Sequence, residues 1–226
     1  MSLRRRFRVE SLPQDEAALD AAASHHLLRV LRLGPGARVV VFDGGGKQRA
    51  VEVVSVEGGI AIVRPDGPVQ VAAPDQAAHL LLGQLKPKAH DVAVRMAVEA
   101  GITHLHIFAA HRSVKRPARI DRWERLVEAA AQQCGRADLP TLYAHDSLGQ
   151  ALADLPSDLG VWVALPGAEP ARVTGPAAAI VGPEGGLTER EVDLALDAGA
   201  QPLGLGAWTL RADTAAALAS GAICRG

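Results

Sequence analysis

The chain has 226 residues, enough for one large domain or two modest ones. Hydrophobic residues at 48% and charged residues at 22% exclude an intrinsically disordered chain, and aromatics at 3% leave Ala, Val, Leu and Ile to build the core. Two cysteines at unrelated positions, Cys134 and Cys224, speak against a disulfide scaffold or zinc ribbon and fit a reducing compartment. No stretch approaches the roughly 20 apolar residues of a membrane helix, and no apolar run follows the arginines at 4, 5, 6 and 8, so a cytoplasmic chain without a membrane partner is expected.

The first third reads as β-rich. Phe7–Glu10 is a candidate strand, and Ser24 is placed to cap a short helix, His25–Leu33, that stops at Gly34-Pro35-Gly36. Ala37–Asp43 is a stronger strand. Arg49–Val56 alternates polar and apolar residues and turns at Gly58-Gly59 into Ile60–Val63, a hairpin pattern. Arg64-Pro65-Asp66-Gly67-Pro68 and Ala73-Pro74-Asp75 read as a linker, which sets a boundary near residue 73 and divides the chain into domains 1–73 and 74–226.

Beyond the boundary, strands alternate with helices. Leu80–Leu85, Thr103–Ala109, Val161–Leu165, Ala177–Val181 and Pro202–Leu205 are the strand candidates. The spacing predicts a helix over Asp91–Ala100 that ends at Gly101. A second starts at Asp121, where Asp121 and Glu124 form a capping-box pattern, with Trp123, Leu126, Val127, Ala130, Ala131 and Cys134 on one apolar face. Thr188 and Glu191 repeat the capping-box pattern ahead of a helix ending near Gly199, and Asp213 or Thr214 is placed to cap the last helix. This alternation indicates an α/β domain with a mostly parallel sheet covered on both faces.

Charge is patterned rather than net. The window from His111 to Arg136 holds seven basic residues against three acidic ones, and with the N-terminal arginines it makes two basic clusters able to attract phosphate. His104 and His106 would share one strand face, with His111 nearby, but no carboxylate or thiolate stands at ligand spacing, so no metal is expected.

Three Gly- or Pro-containing segments follow the late strands: Leu165-Pro166-Gly167, Val181 to Gly186, and Leu205 to Thr214. Ligands in open α/β sheets bind beyond the carboxyl ends of the strands, and glycines there let backbone groups approach closely. Neither a dinucleotide fingerprint nor a Walker loop is present.

The run Ile180-Val181-Gly182-Pro183-Glu184-Gly185-Gly186-Leu187-Thr188, with Glu191 three residues on, resembles the I-G-P-E-G-G-[FL]-[ST]-x-x-E signature of the RsmE family, the small-subunit ribosomal RNA uridine N3-methyltransferases of the SPOUT superfamily. Leu205-Gly206 with Leu210-Arg211 and Asp213-Thr214-Ala215 is similar to that family's L-G-x-R-[IV]-L-R-x-E-T-A. Gln133-Cys134-Gly135-Arg136 and His25–Leu33 resemble two further motifs, in family order.

The resemblance implies a SPOUT-type trefoil-knotted parallel-sheet domain preceded by a small PUA-like β-barrel, and a homodimer through the C-terminal domain. The implied activity is S-adenosyl-L-methionine-dependent methylation of N3 of a uridine in 16S small-subunit ribosomal RNA, free or within the ribosomal subunit. By the same resemblance the cofactor pocket is lined by Leu165, Pro166, Gly182, Glu184, Gly185, Leu205, Gly206, Leu210, Arg211 and Thr214. RNA contacts are expected from Arg4, Arg5, Arg6, His26, Arg29, Arg32, Arg112 and Arg136.

Uracil N3 carries a proton at neutral pH, so the site should hold a base or a cation that stabilises charge on the flanking carbonyl oxygens. Arg211 is the candidate cation, and Asp213 or Glu184 the candidate base. Four positions depart from the family pattern: Met96 for a Lys, Trp208 for an Arg, Ala212 for a Thr and Asp213 for a Glu. These departures keep two other readings in view, a non-catalytic RNA-binding or assembly protein of the same fold and a methyltransferase acting on transfer RNA.

Overall fold

Gly58 and Gly59 set the geometry of the N-terminal unit. Both adopt positive φ (56° and 85°), as a two-residue hairpin loop requires, and they join β4 (Lys47–Glu57) to β5 (Ile60–Val71). The computed structural model describes residues 5–114, 117 and 119–225, and the chain divides into two compact units. One unit takes the residues up to Ala73 together with Glu128–Leu139; the other takes Pro74–Val127 and Pro140 onward.

The first unit is a five-stranded sheet in the order β1-β3-β4-β5-β2, with β1 at Arg6–Arg8, β2 at Ala17–Ala18 and β3 at Arg38–Phe42. The β1–β3 pair is parallel and the others antiparallel. Strand β5 runs straight through Arg64–Pro68, the segment expected to be a linker. A register shift in the β4–β5 pairing between Arg49 and Val51 absorbs residues 66–68, and the ladder resumes at Arg49↔Val69; a second shift lies between Val53 and Ser55.

Helix α1 (Ala21–His25) is capped by Asp20, whose side chain accepts from Ala23 N–H, and a π-helical turn, His26–Val30, follows it. Ser24 is therefore not the expected cap. It is buried within the helix, where its hydroxyl donates to Leu19 C=O and accepts from Ala61 N–H at 3.1 Å. Leu27, Val39, Val41, Val51, Val53 and Val63 fill the core.

The second unit is built on six parallel strands in the order β11-β9-β10-β6-β7-β8. They are β6 (Ala78–Gly83), β7 (His104–Phe108), β8 (Thr141–His145), β9 (Gly160–Ala164), β10 (Ala177–Val181) and β11 (Gln201–Leu203). Every residue of β6 and β10 is buried, so each strand is covered on both faces; β10 reads as an unbroken apolar run, and β6 as one interrupted by His79. Helices α2 (Pro87–Ala100) and α6 (Ala212–Cys224) pack together, with α6 also against β6 and β10. Helices α4 (Leu148–Ala153) and α5 (Glu189–Asp197) contact one another.

The capping box at Thr188 and Glu191 forms in both halves. The one expected at Asp121 does not. Helix α3 (Ile120–Cys134) begins one residue earlier, its first turn accepted by Arg119 C=O, and Cys134 is exposed rather than on the apolar face. Strand β8 and helix α4, capped by Ser147, are additions to the elements read from the sequence. No helix among the described residues is long and apolar enough to cross a membrane.

Candidate active site

Strands β11, β9 and β10 are neighbours in the sheet, so the three segments that follow them converge at one carboxyl edge. Together they enclose a cavity of about 660 Å³. Its wall comes from Ala164–Pro166 after β9, Val181–Leu187 after β10 and Leu205, Gly206 and Trp208–Arg211 after β11, completed by Ala89 of α2, Val192 of α5, and Ala212, Asp213 and Ala215 of α6. A pocket of this size lined by apolar side chains and backbone groups suits a nucleoside-sized ligand.

The loops hold their shape through close contacts that glycine alone permits. A Cβ on Gly204 would lie 2.0 Å from Ala168 C=O, and the Gly204 N–H donates to Glu169 C=O at 3.0 Å. At Gly185 a Cβ would meet Cβ of Arg112 at 3.0 Å, so crowding there is against the 110–112 segment and not against the cavity. Arg112 itself donates from Nη1 to the carbonyls of Gly185 and Leu187. Glu191 completes the frame, accepting from the N–H groups of Thr188 and His111. Burial pushes its carboxyl up, but those hydrogen bonds outweigh burial and hold it below the usual carboxylate range.

The residues expected to hold a cofactor largely meet here. Leu165, Pro166, Gly182, Glu184, Gly185, Leu205, Gly206, Leu210 and Arg211 all border the cavity, as does Asp213. Thr214 does not. It is exposed one position along α6, and Ala215 takes the place on the wall. Sequence reasoning missed Pro183, Leu187, Val192 and Thr209, apolar or neutral residues whose position only the loop geometry reveals.

The charged groups have defined partners. Arg211 is the N-cap residue of α6, with a side chain 81% exposed and its Nε 3.5 Å from Oδ1 of Asp213. The Asp213 side chain is 14% exposed, and its Oδ1 also accepts from the Thr214 N–H at 2.9 Å, so neither Asp213 nor Thr214 caps the helix in the expected way. Glu184 Oε1 accepts from the N–H of Lys86, the N-cap residue of α2, at 3.0 Å.

The basic residues read as RNA contacts separate into two groups. Arg5, His26, Arg29, Arg32 and Arg112 are exposed. Arg6 and Arg136 are buried, which removes them from an RNA-facing surface: Arg6 lies over the Phe42 ring and donates to Arg136 C=O, while Arg136 is paired with Asp138. Arg4 lies outside the described residues.

His104 and His106 do share a strand face, and the sheet register adds His79, Tyr143 and His145 to it. Nδ1 of His79 is 3.1 Å from Nε2 of His106, and Nδ1 of His106 is 3.0 Å from Nε2 of His145. His145 Nδ1 reaches Asp154 at 3.4 Å. Among the described residues, no group of three His, Cys, Asp or Glu is arranged to hold a metal ion.

Comparison with known proteins gives this cavity a context. Residues 73–224 match the RNA methyltransferase domain family, and residues 19–66 match the RNA methyltransferase PUA domain. A ribosomal RNA small subunit methyltransferase E from Synechocystis is 30% identical over 93% of this chain and 73% of its own. The one from Mycobacterium bovis is 30% identical over 96% of this chain and 90% of its own.

The chain belongs to the ribosomal RNA small subunit methyltransferase E family.

Among solved structures, the Neisseria gonorrhoeae member of that family, bound to S-adenosyl methionine, superposes with a TM-score of 0.87 at 26% identity. The superposition covers 96% of this chain and 95% of the other. The family is one of S-adenosylmethionine-dependent RNA methyltransferases, with an α/β parallel-sheet domain and an N-terminal PUA-like domain, and both units of this chain have that form.

Proposed function

We propose that this chain transfers a methyl group from S-adenosyl-L-methionine to N3 of a uridine in small-subunit ribosomal RNA, acting in the cytoplasm as a homodimer with the family's knotted catalytic fold. The observation that carries the reading is the cavity after β9, β10 and β11, where Arg211 and Asp213 stand together on the wall of a nucleoside-sized, backbone-lined pocket.

The residues present fit the cofactor. Three loops border the cavity, and the close packing at Gly204 fixes the turn beside Leu205. Leu165, Pro166, Leu205 and Leu210 offer apolar walls to an adenine, and Glu184 holds the 182–187 loop against the start of α2. When bound, S-adenosyl-L-methionine supplies an electrophilic methyl group on a sulfonium.

The chain's own task is to present a nucleophile in line with that methyl and to manage one proton. N3 of uracil forms the new N–CH3 bond and loses its N–H proton, which Asp213 accepts or passes to solvent. Arg211, held beside Asp213, stabilises the negative charge that develops on the O2 and O4 carbonyl oxygens. In the N-terminal unit, exposed Arg5, Arg29 and Arg32 with His26 supply a phosphate-attracting surface.

The dimer rests on α6. Its inner face, Ala212, Ala216, Ala219, Ser220 and Ile223, is buried, while Leu218 remains 45% exposed beside Ala217, Gly221 and Ala222. These outer residues line a groove of about 420 Å³ together with Ala171–Val173 and Arg225, and this groove is where a symmetry-related helix would seat.

Titration calorimetry with S-adenosyl-L-methionine tests the cofactor half of the reading. Binding in the micromolar range, about −8 kcal/mol, is expected. No heat at millimolar cofactor would overturn it.

A further inference from the structure

Trp208 is 83% exposed, more than any other large hydrophobic residue among those described, yet it borders the cavity after β11. The other tryptophans behave differently: Trp123 is 4% exposed and Trp162 is half-buried. Single hydrophobic residues on a surface are ordinary and need no explanation. An indole is another matter, since it offers 150–250 Å² to burial and is the side chain with most to lose by standing in water. This one stands at the rim of the binding cavity, three residues from the 81%-exposed guanidinium of Arg211.

An open aromatic face next to a cation has a defined chemical complement. Single-stranded nucleic acids are held by bases stacked on aromatic rings, with arginines tracking the adjoining phosphates. A cofactor adenine is a poorer match, because a ligand seated among Leu165, Leu205 and Leu210 already has enclosing walls, whereas most of the indole looks outward to solvent.

We propose that Trp208 is the stacking platform for a base of the RNA substrate, seating the target uridine or its neighbour at the mouth of the cavity; this rests on the RNA methyltransferase reading given above. It makes Trp208 a specificity-determining residue of the same site. The base lies flat on the indole, so the target nucleotide is unstacked from its own strand before transfer.

The test compares wild-type protein with Trp208→Ala and Trp208→Phe. The probes are small ribosomal subunits from cells lacking the enzyme, for methyl transfer, and S-adenosylhomocysteine, for calorimetry. Because the side chain is exposed, both variants keep the fold, which circular dichroism checks. Trp208→Ala should lower kcat/KM for the subunits by roughly 5- to 150-fold, the range that base stacking contributes. Trp208→Phe should recover most of the loss, and S-adenosylhomocysteine affinity should stay within about twofold.

Unchanged transfer by Trp208→Ala would overturn the proposal and make the residue an ordinary surface tryptophan. A parallel loss of S-adenosylhomocysteine affinity would overturn it in favour of stacking on the cofactor, and a monomeric Trp208→Ala protein would do so in favour of a subunit contact. Failure of the methyltransferase reading itself looks different: wild-type protein then transfers nothing to the subunits.

Discussion

Glu184 Oε1 accepts a hydrogen bond from the backbone N–H of Lys86 at 3.0 Å, joining the loop after β10 to the residue that begins α2. This bond gives Glu184 a positioning role distinct from proton transfer. Glu184→Ala should weaken cofactor binding about fivefold, the worth of roughly 1 kcal/mol for one partly solvated hydrogen bond. Glu184→Gln keeps the acceptor oxygen and should stay within about twofold in both binding and turnover. A Glu184→Gln protein that binds cofactor normally and transfers nothing would instead make Glu184 the base.

Gly204 admits no side chain. An added Cβ would sit 2.0 Å from Ala168 C=O and 2.7 Å from Glu169, so Gly204→Ala must displace the 168–169 backbone or the loop that carries Leu205 and Gly206. Overpacking of this kind costs about 1–3 kcal/mol, and at this chain length should lower Tm by several degrees. Calorimetry should show cofactor affinity falling more than tenfold. Wild-type Tm and affinity in Gly204→Ala would refute the close-approach argument.

The chain of imidazoles on the sheet predicts acid sensitivity. With the proton of His145 on Nδ1, 3.4 Å from Asp154, Nε2 of His145 accepts from Nδ1 of His106 and Nε2 of His106 accepts from Nδ1 of His79, an order that needs neutral His145 and His106. Burial, reinforced by neighbouring histidines, lowers His106 to about 3, and burial with His104 lowers His79 to about 4 despite the opposing pull of Asp158. Both folded values lie below the ordinary 6.5. The stability they contribute is therefore complete above about pH 6.5 and is lost as pH falls from there toward 4 and 3. The slope reaches up to about 1.4 kcal/mol per pH unit for each ring. Urea unfolding from pH 7.5 to 5 should show a falling midpoint, and His106→Gln should flatten the decline while lowering stability at pH 7.5. Equal slopes in the two proteins would contradict the assignment.

Leu218 provides the test of the proposed homodimer. Light scattering of wild-type protein should give twice the 23.6 kDa chain mass. Leu218→Glu places a charge on the outer face of α6 and should yield a folded monomer with little methyl transfer. A wild-type monomer, or a fully active monomeric variant, would remove the dimer from the account.

Much of the cavity was legible in the sequence because its loops are punctuated by Gly and Pro immediately after apolar runs, and strands such as β10 have no exposed residue to blur the pattern. The Thr188–Glu191 box was legible because it is local. What escaped depends on partners distant in the chain. The burial of Arg6 follows from Phe42 and from the carbonyl of Arg136, 130 residues away. Strand β5 survives Pro65 and Pro68 because its pairing with β4 shifts register between Arg49 and Val51. The histidine series spans β6, β7 and β8, whose alignment brings His79, His106 and His145 within hydrogen-bonding distance. Asp121 failed as a cap because Arg119 C=O already accepts the first turn of α3.

Methylation of N3 of a uridine in small-subunit ribosomal RNA is the proposed reaction. Incubating the purified protein with labelled S-adenosyl-L-methionine and small ribosomal subunits from cells lacking the enzyme, then digesting the RNA and separating nucleosides by mass spectrometry, tests it most directly. Label should appear in 3-methyluridine, approaching one per subunit, with none in transfer RNA supplied in parallel. Label in another nucleoside, label only in transfer RNA, or no transfer by a protein that binds the cofactor would contradict it.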